Sequence, residues 1–251
     1  MAIPKRIFIN IREGVSDNTL YCFPYAGGNS LSYKPLIKEM SDEWGVTAIE
    51  PPRIKTNDNS FFQGIYEMVS YYEEFFIPLK NSNFSLFGHS LGGLVVYLLA
   101  QKLENRNIFP SKLIISASNP PSFIEEEVSG MNDEEFEKYI IDIGGVPNKI
   151  IEKNLLSYFI PNLKADFLAL ENFEYKGGDR VKTPVYILNG TNDLKCQHST
   201  IKNWQKYCEK VSLFSVQGGG HMFVNDQTKS VARIMHEILK KEKLEESVDK
   251  I

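Results

Sequence analysis

Six short apolar runs, separated by longer segments of helical period, leave this chain few ways to fold. The runs are Leu20–Phe23, Val46–Ile49, Phe84–Phe87, Leu113–Ser116, Val185–Leu188 and Val211–Val216. Each reads as apolar on both faces, the pattern of a strand buried between two helix layers. Helical stripes lie between them: Ile65, Tyr66, Met68, Val69, Tyr72 and Phe76, then Leu94, Val95, Leu98 and Leu99. A last stripe joins Val231, Ile234, Met235, Ile238 and Leu239, with Asp226 available to cap it. Such alternation implies a mostly parallel sheet with helices on both faces and ligands at the carboxyl ends of its strands. The 251 residues suit a single α/β domain, 1–251.

One stretch breaks the alternation. Between Ser116 and Val185, nearly seventy residues carry no strand-like run. Phe136, Tyr139, Ile140 and Ile143 form one helical face, and Ile151, Leu155, Leu156 and Phe159 a second. Phe167, Leu168 and Leu170 suggest a third, with breaks at Gly144-Gly145-Val146-Pro147, at Pro161 and at Gly177-Gly178. Three short helices over the carboxyl edge of the sheet, at about 122–178, make a helical lid; the alternative is an extra layer of core packing.

Composition excludes several classes of function. A content of 42% hydrophobic and 24% charged residues is that of a globular chain. A net charge of −4 and a pI near 5.7 give no general attraction to nucleic acid. The longest apolar run, Leu94–Ala100, falls far short of a membrane span. The stretch Ile7–Ile11 is short and broken by Asn10, so no signal peptide is expected. Cys22, Cys196 and Cys208 have no metal-ligand spacing, and a reducing, cytoplasmic setting is the expectation. The charged segment 240–251 is expected to fray.

The strongest chemical signal is Gly88-His89-Ser90-Leu91-Gly92, set between an apolar run and a helical stripe. A serine at a sharp strand-to-helix turn needs small neighbours two residues away on each side, so that the backbones pass without a Cβ clash. The turn lifts the Ser90 hydroxyl above the sheet and leaves the Leu91 amide free to stabilise an oxyanion. Serine is a weak nucleophile and needs a base. Of four histidines, His89 lies inside the turn and points away, His236 sits on the polar side of the last helix, and His198 has no obvious orienter. His221 follows the last strand and the flexible Gln217-Gly218-Gly219-Gly220, with the reach to arrive over Ser90. An acid should lie between serine and histidine in chain order. Asp193 stands directly after Val185–Leu188, whereas Ser116-Ala117-Ser118-Asn119-Pro120-Pro121 ends the preceding strand with no carboxylate. Asp166 and Asp179 belong to the insertion and its exit. A second oxyanion donor is expected in Phe23-Pro24-Tyr25-Ala26-Gly27-Gly28, from the amide of Tyr25 or of Ala26.

With these residues in place the chain resembles the type II thioesterases of nonribosomal peptide and polyketide biosynthesis, members of the α/β-hydrolase superfamily. The matching pieces are Leu20–Gly28, Phe87–Gly93, Gly190-Thr191-Asn192-Asp193 and Gly219-Gly220-His221-Met222-Phe223, in the family's order along nearly the whole chain. Phe-Pro-Tyr-Ala-Gly-Gly is the most telling. One departure is visible: where the family tends to read Pro-Gly-Arg, this chain has Pro51-Pro52-Arg53-Ile54-Lys55. The resemblance implies an α/β-hydrolase fold and a Ser90–His221–Asp193 triad. It also implies a monomer without metal or organic cofactor, acting on an acyl or aminoacyl thioester carried by the phosphopantetheine arm of an acyl or peptidyl carrier protein. Phe136, Tyr139, Phe159 and Phe167 then either line an acyl pocket or pack lid to body. Arg53, Lys55, Lys149, Lys153 and Lys164 are either contacts for an acidic carrier or ordinary scattered surface charges, the second being the plainer reading. Two rival readings use the same residues: a carboxylesterase or lipase, and a noncatalytic binding protein on the same fold.

Overall fold

Period-2 burial organises the centre of the molecule. The structure, a computed structural model, describes residues 7–52, 62, 64–80, 82–124, 126–153 and 155–240. The elements run β1 (Phe8–Arg12), β2 (Thr19–Phe23), α1 (Lys34–Glu39), β3 (Gly45–Ile49), α2 (Ile65–Phe76), β4 (Phe84–His89), α3 (Leu91–Glu104) and β5 (Lys112–Ser116). Then follow α4 (Asp133–Asp142), α5 (Asn148–Glu152), α6 (Leu156–Glu171), β6 (Val185–Gly190), α7 (His198–Ile201), β7 (Val211–Val216), α8 (Phe223–Asp226) and α9 (Thr228–Lys240). The strands form one sheet in the order β1-β3-β2-β4-β5-β6-β7, parallel throughout except for the β1–β3 pair.

Alternate residues of the central strands feed two separate cores. Tyr21, Phe23, Phe84, Leu86, Leu113, Ile115, Val185 and Ile187 face α2 and α3. Leu20, Cys22, Phe87, Ile114, Tyr186 and Leu188 face the side covered by α1 and α9. A strand buried on both faces must be apolar at every position, which is why these runs stand out in the sequence. Among the described residues no helix is long and apolar enough to cross a membrane.

Four expectations need correction. The stretch around Ile7–Ile11 is a strand, β1, pairing antiparallel with β3. It escapes notice because an edge strand of intermediate burial has no need of an unbroken apolar run. β7 is an edge as well, with Leu213 and Ser215 exposed, so it is not apolar on both faces. Pro161 does not end a helix: the second and third expected stripes belong largely to one helix, α6, that runs through it. The proline removes the donor that would reach the Ser157 carbonyl, and both residues are exposed, so water can take its place. Asp226 closes the short α8, where its carboxylate accepts a hydrogen bond from Asn148 Nδ2 at 3.0 Å.

Candidate active site

β4 ends at His89, and the chain turns into α3 through Ser90 at φ 54°, ψ −120°. That conformation costs a non-glycine residue roughly 1–3 kcal/mol and persists only where its surroundings enforce it. They do so by close approach. A Cβ on Gly88 would lie 2.0 Å from the Gly92 carbonyl oxygen, and one on Gly92 would lie 2.4 Å from the Phe23 carbonyl oxygen. The second contact brings the loop after β2 beside the turn, and the Tyr33 hydroxyl donates to that same Phe23 carbonyl at 2.8 Å. Leu91 is the first residue of α3, where helix N–H groups lack an intrahelical acceptor. Tyr25 and Ala26 occupy the neighbouring turn, closed by Gly28 N–H on the Tyr25 carbonyl.

Ser90, His221 and Asp193 converge at this edge. His221 Nε2 is 3.0 Å from Ser90 Oγ, and His221 Nδ1 is 3.0 Å and 3.2 Å from the two Asp193 oxygens. Asp193 and His221 are 5% and 4% exposed, so the contact is shielded from water. Burial pushes the Asp193 carboxyl upward, but His221 and the Lys195 and Cys196 amides on Oδ1 outweigh it and hold the pKa below its ordinary value. An ionised carboxylate only accepts, so Nδ1 carries the imidazole proton and Nε2 faces the serine hydroxyl. The two loops that bear Asp193 and His221 are stitched together. Asn192 N–H donates to the Gly219 carbonyl at 2.9 Å, and Gly218 N–H donates to Thr191 Oγ1 at 2.8 Å.

Several supporting groups are not legible as a motif. His89 is fully buried, with Nε2 2.9 Å from the His221 carbonyl and Nδ1 2.9 Å from Ser116 Oγ. A carbonyl only accepts, so Nε2–H donates to it and Ser116 donates to Nδ1. His89 thus fixes the backbone of His221. The strand register, which pairs His89 with Ser116, is the signal that finds it. The Cys196 thiol lies with Asp193 and His221 in one cluster, their candidate ligand atoms within 4.8 Å, and burial drives its pKa well up, keeping it neutral. His198 and His236 are exposed.

Burial, with the neighbouring His221 adding to it, lowers the pKa of His89 from 6.5 to about 3. Below pH 6.5 the unfolded chain therefore takes up a proton that the native protein refuses. Stability should fall as pH drops from 6.5 towards 3, by up to about 1.4 kcal/mol per pH unit from this one group. Urea unfolding across that window should show the decline, and His89→Gln should flatten it; an equal slope in both proteins would refute the assignment.

Two cavities adjoin the site. One of about 330 Å³ is lined by Ser90 and Leu91 together with residues after β5 and β6. The other, of about 280 Å³, lies between the Tyr25–Ser32 loop and the α4–α6 segment and includes Phe159. Phe167 instead packs against both Phe136 and Tyr139, with ring centroids 5.6 Å and 6.2 Å away. Asp166 is committed to the Gly27 N–H at 2.7 Å. Lys164 is held by the Met131 carbonyl and Asp133, while Lys149 and Lys153 are exposed. Arg53, Ile54 and Lys55, like residues 241–251, lie outside the described residues.

A family model described as the thioesterase domain matches residues 18–239. The chain is 24% identical over 221 residues to the gramicidin S biosynthesis protein GrsT of Aneurinibacillus migulanus, covering 86% of each chain. It is 24% identical over 213 residues to thioesterase PikA5 of Streptomyces venezuelae, covering 83% of this chain and 76% of that one. Among solved structures, the type II thioesterase BorB from the borrelidin biosynthetic cluster superposes with a TM-score of 0.82 at 22% identity, covering 93% of this chain and 97% of BorB. The fold is that of the α/β-hydrolases, and with a family match running from just before β2 to the last turn of α9, the chain belongs to the thioesterase family.

Proposed function

We propose that the protein is a stand-alone thioesterase that releases acyl or aminoacyl groups from the phosphopantetheine arm of carrier proteins, with Ser90 as nucleophile, His221 as base and Asp193 as orienting acid. The observation that carries this reading is the hydrogen-bond chain from Ser90 Oγ through His221 to Asp193, shielded from solvent. His221 Nε2 takes the hydroxyl proton while Oγ bonds to the thioester carbonyl carbon. The resulting oxyanion is met by the Leu91 amide and by that of Tyr25 or Ala26, each such donor supplying about 3 kcal/mol of transition-state stabilisation. The carbon–sulfur bond breaks, and the imidazolium gives its proton to the departing thiolate. Water, deprotonated in turn by His221, attacks the acyl-serine, and Oγ leaves with the proton as the carboxylic acid is released. Asp193 remains a carboxylate throughout and stabilises the imidazolium.

The carrier-bound substrate is supported by relatives named for gramicidin S biosynthesis and the borrelidin cluster. The α4–α6 segment acts as a lid in this reading. Asp166 and Leu163 of α6 meet Gly27 in the oxyanion loop, so the lid and the loop are in direct contact. A lid of this kind admits a long, thin pantetheine arm and keeps bulk water from the acyl-enzyme.

The test compares one acyl group presented on a carrier protein, on coenzyme A and as a simple oxygen ester. The carrier substrate should have the highest kcat/KM, at least tenfold above the ester. A wide margin in favour of the ester would replace this reading with a carboxylesterase.

A further inference from the structure

Asp166 has no place in the triad, yet its carboxylate reaches the loop expected to supply the second oxyanion donor. It stands on α6, and its Oδ2 accepts from the Gly27 N–H at 2.7 Å, across 139 residues of sequence. Gly27 lies in a tight turn, closed by the Gly28 N–H on the Tyr25 carbonyl at 2.8 Å. Of the two central residues, Ala26 and Gly27, only Gly27 is at positive φ, 70°. That combination is a type II turn, with glycine in the position that requires it.

Types I and II differ in which way the central peptide faces, and glycine accepts either. The turn's own sequence therefore leaves the Ala26–Gly27 peptide able to flip. The flanks of the loop are tied to the body of the protein. The Tyr33 hydroxyl donates to the Phe23 carbonyl at 2.8 Å, Asn225 Nδ2 to the Tyr25 hydroxyl at 3.0 Å, and the Ser30 N–H to Glu50 at 3.0 Å. The central peptide is held from α6 instead. A flip would exchange the Gly27 N–H for the Ala26 carbonyl and set one acceptor against another at Asp166. Leu163, one turn earlier on the same face of α6, fills the space beneath: a Cβ on Gly27 would lie 2.6 Å from Leu163 Cγ. With the Gly27 amide engaged by Asp166, the amides of Tyr25 and Ala26 are the ones left for an oxyanion. Such a donor works only within about 3 Å of the developing charge, so a turn displaced by about 1 Å forfeits it.

We propose, resting on the thioesterase reading above, that Asp166 is a positioning residue: it locks the Tyr25–Gly28 turn in its type II form, so that the second oxyanion donor is in place only while α6 is seated on the loop. Seating of this helix and completion of the oxyanion hole are then one event.

The test pairs kinetics on an acyl-carrier protein with two inhibitors, a short-chain alkyl trifluoromethyl ketone and the matching secondary alcohol. Ser90 Oγ adds to the ketone carbonyl and passes its proton to His221, leaving a hemiketal oxyanion that draws on the same donors as the thioester; the alcohol forms no adduct. Asp166→Ala should lower kcat by about 10- to 100-fold with KM within about threefold, the pattern of a lost transition-state contact. It should weaken the ketone by about tenfold or more and leave the alcohol within about twofold. Asp166→Asn, whose side-chain oxygen still accepts from Gly27, should restore both quantities to within about threefold of wild type. The ketone-to-alcohol ratio is internal to each preparation, so a partly unfolded variant does not distort it. Asp166→Ser ends one atom short of the amide and takes the place of Asp166→Ala should that variant not fold. An unchanged kcat and ratio in Asp166→Ala, equal weakening of ketone and alcohol, or an Asp166→Asn as impaired as Asp166→Ala would overturn the positioning role and leave the thioesterase intact. A wild-type protein that captures the ketone but hydrolyses no thioester would overturn the thioesterase reading, while the ratio would still decide the part played by Asp166.

Discussion

Ser90→Ala is expected to lower kcat for thioester hydrolysis by on the order of 10⁶-fold, the scale seen when a triad nucleophile is deleted. The substitution is a clean one. Alanine keeps the Cβ, so the strained backbone at φ 54° meets the same steric environment as before. The hydroxyl makes one side-chain contact, with His221 Nε2, and supports no part of either core. Thermal unfolding should therefore move little while thiol release from an acyl-carrier substrate all but disappears. A residual rate above that of water is expected, because the oxyanion donors and the binding surface survive. A variant within tenfold of wild type would remove Ser90 from the chemistry.

His221→Ala should produce a loss of similar size, and the Ser90→Ala/His221→Ala double variant should be no worse than either single one. Groups that act as a unit lose the same function when any of them is lost, so their effects do not add. Asp193→Asn is expected to cost less, about 10⁴-fold, since an amide can hold the ring but favours the wrong tautomer. The nearby alternatives are already engaged: Asp166 with the Gly27 amide and Asp226 with Asn148. Single-turnover rates for the four enzymes decide the matter. Near-additive losses would mean that His221 and Ser90 act in separate steps, and a near wild-type Asp193→Asn would mean that another carboxylate orients the base.

The parts of the molecule legible in the sequence are those where a single local rule dominates. β2 to β6 carry apolar side chains on both faces because both faces are buried, and the turn at Ser90 announces itself through Gly88 and Gly92. Where two influences compete, the pattern weakens. β1 is held by its ladder to β3 and contains the exposed Asn10, so its apolar run is broken. β7 is polar on its outer side because it ends the sheet. α6 passes Pro161 because its freed carbonyl reaches solvent, a circumstance that depends on which side of the helix the residue occupies. The candidate site divides in the same way. Ser90, Asp193 and His221 each follow a strand and can be located by chain order, whereas the links among them are tertiary. His89 with the His221 carbonyl, Asn119 with the Lys195 carbonyl, and Glu126 with Lys195 join residues 69 to 132 positions apart, and no local pattern announces them.

That 131 residues separate Ser90 from His221 has a consequence for how the protein comes into being. During synthesis the turn at Ser90 emerges from the ribosome long before His221, and domains generally fold as units. The imidazole is fixed only when the segment from β7 to α9 settles onto the sheet and packs against α1. A nascent chain would thus carry a silent serine, and hydrolytic power would switch on as the final helix docks, making catalysis itself a report of completed folding.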